Sequence, residues 1–157
     1  MLPLYNGTDA SEVYPIQLTD KGLTPGGAVT ITIRPAAGNN GETIQRSTAA
    51  AGTVLQFNGA DNVILDGKPG SIISTASNYL TVNDPFVGGN TNRNIELMNA
   101  ANNNTVQYVN CSAADATAAG AGSRTILIGS TTITGNNNNT IQNCMVTGDY
   151  VAYRILA

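Results

Sequence analysis

Along the chain, apolar residues occur in short bursts separated by polar residues, and this pattern predicts β-strands. Each burst has the length of a strand, is rich in Val, Ile and Thr, and is bounded by Gly, Asn, Asp or Pro. No window carries a helical periodicity long enough for a helix. The bursts lie at 28–35, 42–46, 53–59, 62–67, 71–75, 79–84, 94–100, 105–111, 124–129, 140–148 and 150–156. The sequence therefore predicts an all-β chain.

The spacing of the bursts favours a solenoid over a sandwich or a barrel. Few bursts are joined by the two-residue Asn-Gly or Asp-Gly turns that make hairpins. The apolar anchors Ile31, Val63 and Ile95 follow one another at intervals of 32 positions. Val106 and Ile141 are 35 positions apart. Such recurrence predicts a right-handed parallel β-helix of about four to five coils, in which equivalent residues stack.

The bursts also suggest how the chain is divided. We expect residues 28–157 to form the β-helix and residues 1–27 to form an N-terminal cap or edge segment. Asparagines that follow the apolar anchors predict a ladder between coils, because a side-chain amide can bond to its neighbour and Asn tolerates the left-handed backbone of a sharp bend. The residues predicted to form this ladder are Asn58, Asn99, Asn110 and Asn143.

Two asparagine-rich stretches, "NNNTVQYVNC" at 102–111 and "NNNNTIQNC" at 136–144, can be aligned in two ways. Matching the two "NNT" triplets gives a spacing of 35 positions, and matching the two "NC" pairs gives 33. The second alignment treats Tyr108 and Val109 as a bulge or a longer strand. We take the spacing of 33 as the working prediction.

The spacing of 33 places Asn143 above Asn110 and Cys144 above Cys111. The two cysteines are therefore a predicted thiol pair, which is either free or joined as a disulfide. Free thiols are favoured, since free Cys packs well in protein interiors.

Composition narrows the possible functions. The chain has 157 residues, 41% apolar and 11% charged, with a net charge of −3, so it is expected to fold as one domain. Seven Lys and Arg are scattered singly, which argues against a nucleic-acid partner. No apolar run approaches the ~18 residues of a membrane span, so membrane insertion is not expected. With no His and two Cys, zinc sites and histidine triads are excluded, and no metal or cofactor is expected.

Four segments together carry a family resemblance: "VTITIRPAAG", "VLQFNGADNVILDG", "NRNIELMNA" and "NNNNTIQNCMVTG". Their order and spacing resemble a right-handed parallel β-helix module of very large secreted bacterial surface proteins, over residues 28 to 148. The resemblance implies a pectin-lyase-like fold and an adhesin-like setting at the cell surface or outside the cell, and it does not imply catalysis. The matching residues are Asn58, Gly59, Ala60, Asp61, Asp66, Gly67, Asn138, Asn139, Thr140, Ile141, Asn143 and Cys144.

Parallel β-helices also include polysaccharide lyases and glycosidases, so an enzyme is the alternative. A glycosidase needs two carboxylates about 5 to 9.5 Å apart. Asp61 and Asp66 lie in turn sequences, which favours turn roles for both. Catalysis is therefore not expected unless some of the charged candidates converge in one cleft. These candidates are Asp61, Asp66, Asp84, Glu96, Lys68 and Arg93.

A carbohydrate-binding face is a further alternative, because sugar sites combine aromatic platforms with hydrogen-bonding side chains. Its candidate residues are Tyr79, Tyr108, Asp61 and Asp66. Half-buried strand aromatics are the simpler explanation for the two tyrosines. The sequence thus predicts a structural or adhesive module, with carbohydrate binding or degradation as the second choice.

The last burst, at 150–156, is apolar and runs to the end of the sequence without a polar cap. It is expected to cap the last coil, to continue into a larger parent chain, or to pair with another subunit. End-to-end stacking of subunits is heterologous and can form open filaments. The expected partners are therefore another copy of the chain, the rest of a parent chain, or a surface glycan.

Overall fold

A computed structural model describes residues 13–19, 29–39, 41–46, 51–71, 80–88, 91–114, 124–129, 135–148 and 153–155. Within these ranges the chain forms strands and one short 3-10 turn, Pro69–Ser71. In this described part, no helix is long and apolar enough to cross a membrane. The strands are β1 Ile16–Thr19, β2 Ile31–Ile33, β3 Glu42–Gln45, β4 Thr53–Asn58, β5 Val63–Asp66, β6 Leu80–Asp84, β7 Arg93–Met98, β8 Thr105–Gln107, β9 Val109–Ala113, β10 Arg124–Ile128, β11 Thr140–Gln142, β12 Met145–Thr147 and β13 Tyr153–Ile155.

Every third strand pairs in parallel, and this pairing makes three sheets. Sheet A has the order β1-β4-β7-β10-β13, sheet B the order β2-β5-β8-β11, and sheet C the order β3-β6-β9-β12. Each coil contributes one strand to each sheet, so the described strands form four coils, and β13 begins a fifth. The molecule is a parallel β-helix, as the bursts of apolar residues predict.

The strand boundaries differ from the bursts in several places. β1 lies inside the N-terminal segment 1–27 and is the edge strand of sheet A, paired with β4. The bursts at 105–111 and 140–148 each contain two strands, because Tyr108 and Asn143 adopt left-handed backbone conformations with φ of 54°. The burst at 71–75 begins at the end of the 3-10 turn, and residues 72–75 lie outside the described part.

The strand registers confirm some of the predicted anchor spacings and correct one. Ile31 lies opposite Val63, and Val106 lies opposite Ile141. The predicted stacking of Ile95 on Val63 is wrong, because Ile95 belongs to sheet A, where it lies opposite Leu55. The interval of 32 between Ile31 and Val63 is one coil of sheet B, whereas the equal interval from Val63 to Ile95 is a coincidence, because it joins positions in two different sheets.

Stacked apolar side chains fill the interior of the coils. In sheet A, Leu55, Ile95 and Ile126 form one inward column, and all are at least 97% buried. The inward columns of sheets B and C continue this core. Its other members with less than 2% exposure include Val54, Phe57, Leu65, Leu80, Val82, Leu97, Val106, Val109 and Cys111. Because burial of apolar surface is the main stabilising term in folding, these columns hold the coils together.

A buried ion pair joins the first and second coils where sheet C ends. Arg46 binds Asp84 in a bidentate arrangement, with Nε–Oδ1 at 2.8 Å and Nη2–Oδ2 at 3.1 Å. The Arg46 guanidinium also donates to Asn92 Oδ1 at 3.3 Å and lies 5.4 Å from the centre of the Phe86 ring. Both charged side chains are almost completely buried, at 6% and 1% exposure. Such a pair is stable in the interior only while both partners are present.

Candidate functional site

The turns between sheets A and B form a polar feature that repeats from coil to coil, which we call the asparagine corner. It consists of residues 60–63, 101–104 and 136–139, which lead into β5, β8 and β11. The strand register aligns these turns residue by residue, since Ile64 lies opposite Thr105 and Thr105 opposite Thr140. Each position of the turn therefore forms a column that runs along the helix axis.

In the third and fourth coils, the last position of the corner holds the coil against the preceding one. Asn104 Oδ1 accepts a hydrogen bond from Val63 N at 2.9 Å, and Asn104 Nδ2 donates to Ala60 O at 2.7 Å. Asn139 repeats this geometry one coil later, accepting from Asn104 N at 2.9 Å and donating to Ala101 O at 2.7 Å. We call this the clamp position, because one side-chain amide satisfies two backbone groups of the previous coil.

The second position of the corner provides acceptors in the opposite direction. Asp61 Oδ1 accepts from Asn102 N at 2.7 Å. Asn102 Oδ1 then accepts from Asn137 N at 2.8 Å. Through this column, a side chain of one coil binds a backbone N–H of the following coil. Through the clamp position, a side chain of the following coil binds the backbone of the preceding one.

The third position of the corner is a column of asparagines with left-handed backbone. Asn62, Asn103 and Asn138 have φ values of 58°, 57° and 56°. Asn138 Nδ2 also donates to Asn103 Oδ1 at 3.2 Å. Asn is enriched in this conformation because its short polar side chain tolerates it. The repeated asparagines thus serve both backbone geometry and bonding between coils.

The predicted ladder is correct for one pair and wrong for the other. Asn99 Nδ2 donates to Asn58 Oδ1 at 2.8 Å. Asn110 lies opposite Met145, so the predicted stacking of Asn143 on Asn110 is wrong. The observed spacing of β8 and β11 is 35 positions, the alternative given by the "NNT" triplets. Tyr108 is accordingly a corner residue equivalent to Asn143 and not part of a bulge.

The asparagines of the clamp position were missed because the spacing of 33 hides their equivalence. Under the "NNT" alignment, "ANNNTVQ" at 101–107 matches "NNNNTIQ" at 136–142. Extension of the same register to β5 adds "ADNVILD" at 60–66. The sequence therefore carries the signal for the clamp position in the alignment with a spacing of 35 positions.

The two cysteines are free thiols and do not stack on one another. Cys111 lies opposite Val82 and Val146, so its predicted position below Cys144 is wrong. Burial raises the pKa of the Cys111 thiol well above its ordinary value, and the nearby Cys144 adds to this effect. Burial also raises the pKa of Cys144, whose Sγ donates to Gln142 O at 3.4 Å.

The carboxylates considered for catalysis accept hydrogen bonds from different sets of partners. Asp61 belongs to the asparagine corner, and Asp84 binds Arg46 in the interior. Asp66 Oδ1 accepts from Lys68 N at 3.1 Å, as expected for a turn, and its Oδ2 lies 4.0 Å from Arg34 Nη2.

Glu96 lies on the outer face of sheet A. Its Oε2 accepts from Thr53 Oγ1 at 3.0 Å and Gln56 Nε2 at 2.8 Å, and its Oε1 lies 3.4 Å from Arg93 Nε. Within the described ranges, no group of three or more His, Cys, Asp or Glu residues could hold a metal ion.

The candidate ligand face is partly dispersed. Asp61 precedes β5 and Asp66 ends it, so the two carboxylates lie at opposite ends of that strand. Tyr108 is half-buried, and Lys68 Nζ lies 3.8 Å from the centre of its ring. Asp66 is opposite Gln107, which places it beside this aromatic residue. Tyr79 lies outside the described residues.

No family model, curated protein or solved structure gives a significant match to this chain. The class of fold therefore follows from the strand pairing alone.

Proposed function

We propose that this chain is a structural module: a rigid β-helix of the pectin-lyase-like class that acts as a spacer or display surface in a secreted or cell-surface protein. The observation that carries this proposal is the asparagine corner, which joins three successive coils. Asn104 and Asn139 each bridge two backbone groups of the previous coil. A solenoid in which the same set of hydrogen bonds repeats between coils and fixes their register is suited to a mechanical role.

The clamp position explains why the module would be rigid. Turns are normally the least stable parts of a fold, because their backbone groups bond to water and open locally. Here the turn amides of Val63 and Asn104 are bonded to side chains of the following coil. Opening one turn therefore requires the loss of bonds in two coils, so turns and strands are expected to open together.

The bonds of the charged side chains also support a structural role. Asp61 fixes a turn, Asp84 neutralises a buried Arg, and Glu96 accepts from two side chains of its sheet and forms an ion pair with Arg93. Catalytic carboxylates need a position facing substrate and a tuned protonation state. These carboxylates are bonded to the protein's own turns and strands instead.

Native-state hydrogen exchange tests the proposal. The amides of Val63 and Asn104 are expected to exchange as slowly as those of the core strands, through global unfolding. The Asn102→Asp variant keeps an acceptor at its position and is therefore expected to preserve this slow exchange. Exchange of the turn amides on the time scale of exposed loops would contradict a rigid module.

A carbohydrate-binding face is the second candidate, supported by the backbone of Tyr108. An aromatic residue with φ of 54° is unusual, and such outliers concentrate at binding sites. The equivalent residue of the next coil is Asn143, so Tyr108→Asn places a suitable residue at this corner. On a glycan array, this variant is expected to lose binding and keep its thermal stability. Failure of the native protein to bind any glycan would remove this candidate.

A further inference from the structure

A line of buried polar side chains lies in the interior where sheet C leads into sheet A, and we call it the polar seam. It consists of Arg46, Asp84, Asn92 and Asn94. The ion pair of Arg46 and Asp84 joins the first and second coils, and Asn92 is bonded to it. Asn94, in β7, continues the seam and is 0% exposed. Because a buried amide is costly unless it is hydrogen-bonded, each polar atom of Asn94 requires a partner.

The amide nitrogen of Asn94 has two protein partners. Asn94 Nδ2 donates to Val82 O at 2.7 Å and to Ser112 O at 2.6 Å. Val82 belongs to β6 of the second coil and Ser112 to β9 of the third, so this nitrogen links two coils. Both partners are carbonyl oxygens, which can only accept, and they therefore identify this atom as the nitrogen of the amide.

The amide oxygen of Asn94 is a buried acceptor that lacks a protein donor. No group in the part of the chain that the structure describes donates a hydrogen bond to Asn94 Oδ1. The side chain cannot turn over to exchange its two ends, because Nδ2 is held by two carbonyls. Unsatisfied buried acceptors are rare in folded proteins, and a small donor from solvent is the usual partner.

The column that contains Asn94 indicates where such a donor can lie. The register of β7 with its two neighbours places Thr125 at the equivalent position in the fourth coil and Val54 at that position in the second. Both residues are 0% exposed. Val54 has no polar side-chain atom, whereas a Thr hydroxyl has one donor and two acceptor lone pairs. Thr125 can therefore share a ligand with Asn94 while it keeps another bond of its own.

The spacing of the coils suits one bridging water. Equivalent positions of neighbouring parallel strands are about 4.8 Å apart, which is too far for a direct hydrogen bond between two oxygens. A water that bonds to both oxygens at about 2.8 Å, with its two bonds at the tetrahedral angle, spans about 4.6 Å. Buried waters commonly bridge buried polar groups in this way.

We propose that the polar seam contains a binding site for one water molecule, between Asn94 Oδ1 and Thr125 Oγ1. The water donates one hydrogen to Asn94 Oδ1 and bonds to the Thr125 hydroxyl. It joins the third and fourth coils, as Asn94 Nδ2 joins the second and third. With the ion pair of Arg46 and Asp84, the seam then links all four coils through polar bonds. The site is internal, so it does not depend on the surface role proposed for the module.

Oxygen-17 relaxation dispersion of the solvent counts internal waters that exchange slowly, and this count tests the proposal. The native chain is expected to hold one more such water than Thr125→Val, which leaves the water a single partner. Val is a suitable replacement, because Val54 occupies the equivalent position. Thr53→Val is the matched control and is expected to keep the native count, since the Thr53 hydroxyl bonds to Glu96 on the outer face of the same sheet.

Asn94→Val is expected to lose the same single water. This variant also removes the donor to Val82 O and Ser112 O, so its melting temperature is expected to fall; if it does not fold, Thr125→Val still decides. A high-resolution crystal structure of the native chain is expected to show a water within hydrogen-bond distance of Asn94 Oδ1 and Thr125 Oγ1. An equal count in the native chain and Thr125→Val, an equal loss in Thr53→Val, or a metal cation at this position would overturn the proposal.

Discussion

At the residue scale, the hydrogen bonds of the asparagine corner explain why its positions differ in the residue types that they accept. The clamp position must both donate and accept, because it bonds one backbone N–H and one backbone carbonyl. Asn can do both, whereas ionised Asp can only accept. The second position provides an acceptor for the following coil, from Asp61 in one coil and from Asn102 in the next, and Asn102 Nδ2 also donates to Ala100 O at 2.6 Å. The chemistry of each column thus determines its residue type.

Asn104→Asp is expected to destabilise the protein by about 3 kcal/mol. The substitution leaves Ala60 O without its donor and places a carboxylate beside that buried carbonyl, and each unsatisfied buried group costs about 1–3 kcal/mol. Asn102→Asp is the control: it keeps the acceptor for Asn137 N and loses only the bond from Asn102 Nδ2 to Ala100 O, so it is expected to cost about 1 kcal/mol. Urea denaturation of both variants checks this difference. Equal losses would show that the clamp geometry does not govern stability.

Asn143 contributes through its backbone conformation, since it does not stack on Asn110. Its φ of 54° is costly for Ala, by about 1–2 kcal/mol, and free of that cost for Gly. Asn143→Ala is therefore expected to lose about 1 kcal/mol, and Asn143→Gly to lose less. Thermal unfolding of the two variants separates the backbone effect from a side-chain effect. Equal losses for Gly and Ala would assign the role of Asn143 to its side chain, which both variants remove.

The buried pair of Arg46 and Asp84 is expected to show strong coupling. Arg46→Met leaves an uncompensated carboxylate in the interior and is expected to cost about 3–5 kcal/mol. Replacing both residues, as Arg46→Met with Asp84→Leu, is expected to cost less than the single change, because well-packed apolar residues can substitute for a buried pair. A double-mutant cycle in urea measures the coupling. Additive losses would show that the two charges are not energetically linked.

At the element scale, the sequence is sufficient to locate strands and insufficient to set every register. Bursts of Val, Ile and Thr locate most strands, because each strand must contribute apolar side chains to the interior. The apolar bursts do not include β1. They also merge β8 with β9, because no Gly or Pro marks the corner at Tyr108. The register between coils depends on turn length, and a choice between 33 and 35 positions cannot be made from apolar spacing alone. Only the pairing of Thr105 with Thr140 decides it.

The close approach of successive coils explains Gly67, at the end of β5. A Cβ at this position would lie 1.8 Å from Tyr108 O, a backbone atom that cannot move without shifting β8 or β9. Gly67→Ala is therefore expected to lose more than about 3 kcal/mol, as overpacking and strain act together. Gly88→Ala is the control: its φ is 105° but its Cβ would meet nothing within 4 Å, so only a backbone cost of about 1–2 kcal/mol is expected. Equal losses in urea denaturation would rule out the clash as the cause.

At the scale of the whole molecule, the coils form a continuous column of contacts in which each coil touches its neighbours. Solenoids of this kind derive their stability from interfaces between successive units. The clamp position makes the interface of the second and third coils, and that of the third and fourth, depend on polar bonds as well as on apolar stacking. A titratable group buried within such a stack reaches solvent only when several coils open together. Its titration therefore reports on unfolding of the entire structure.

Cys111 is such a group, and it makes the stability of the molecule depend on alkaline pH. Its side chain is 1% exposed, and burial raises the pKa of its thiol well above the ordinary value of 9.0. Below pH 9 the thiol is neutral in both states, so its contribution is fully present. Above pH 9 the unfolded chain releases the proton and the folded chain keeps it, so stability falls by up to about 1.4 kcal/mol for each pH unit.

Urea denaturation between pH 7.5 and 10 measures this dependence, and Cys111→Ala is expected to show a shallower decline than the native chain. Cys144→Ala is the comparison, because that thiol is only half-buried although burial raises its pKa as well. Since the thiolate is the reactive form, alkylation of Cys111 at pH 8 is expected to proceed at the rate of global unfolding. A Cys111→Ala variant with an unchanged alkaline slope, or rapid alkylation of Cys111 in the folded protein, would show that the coils open locally at this position.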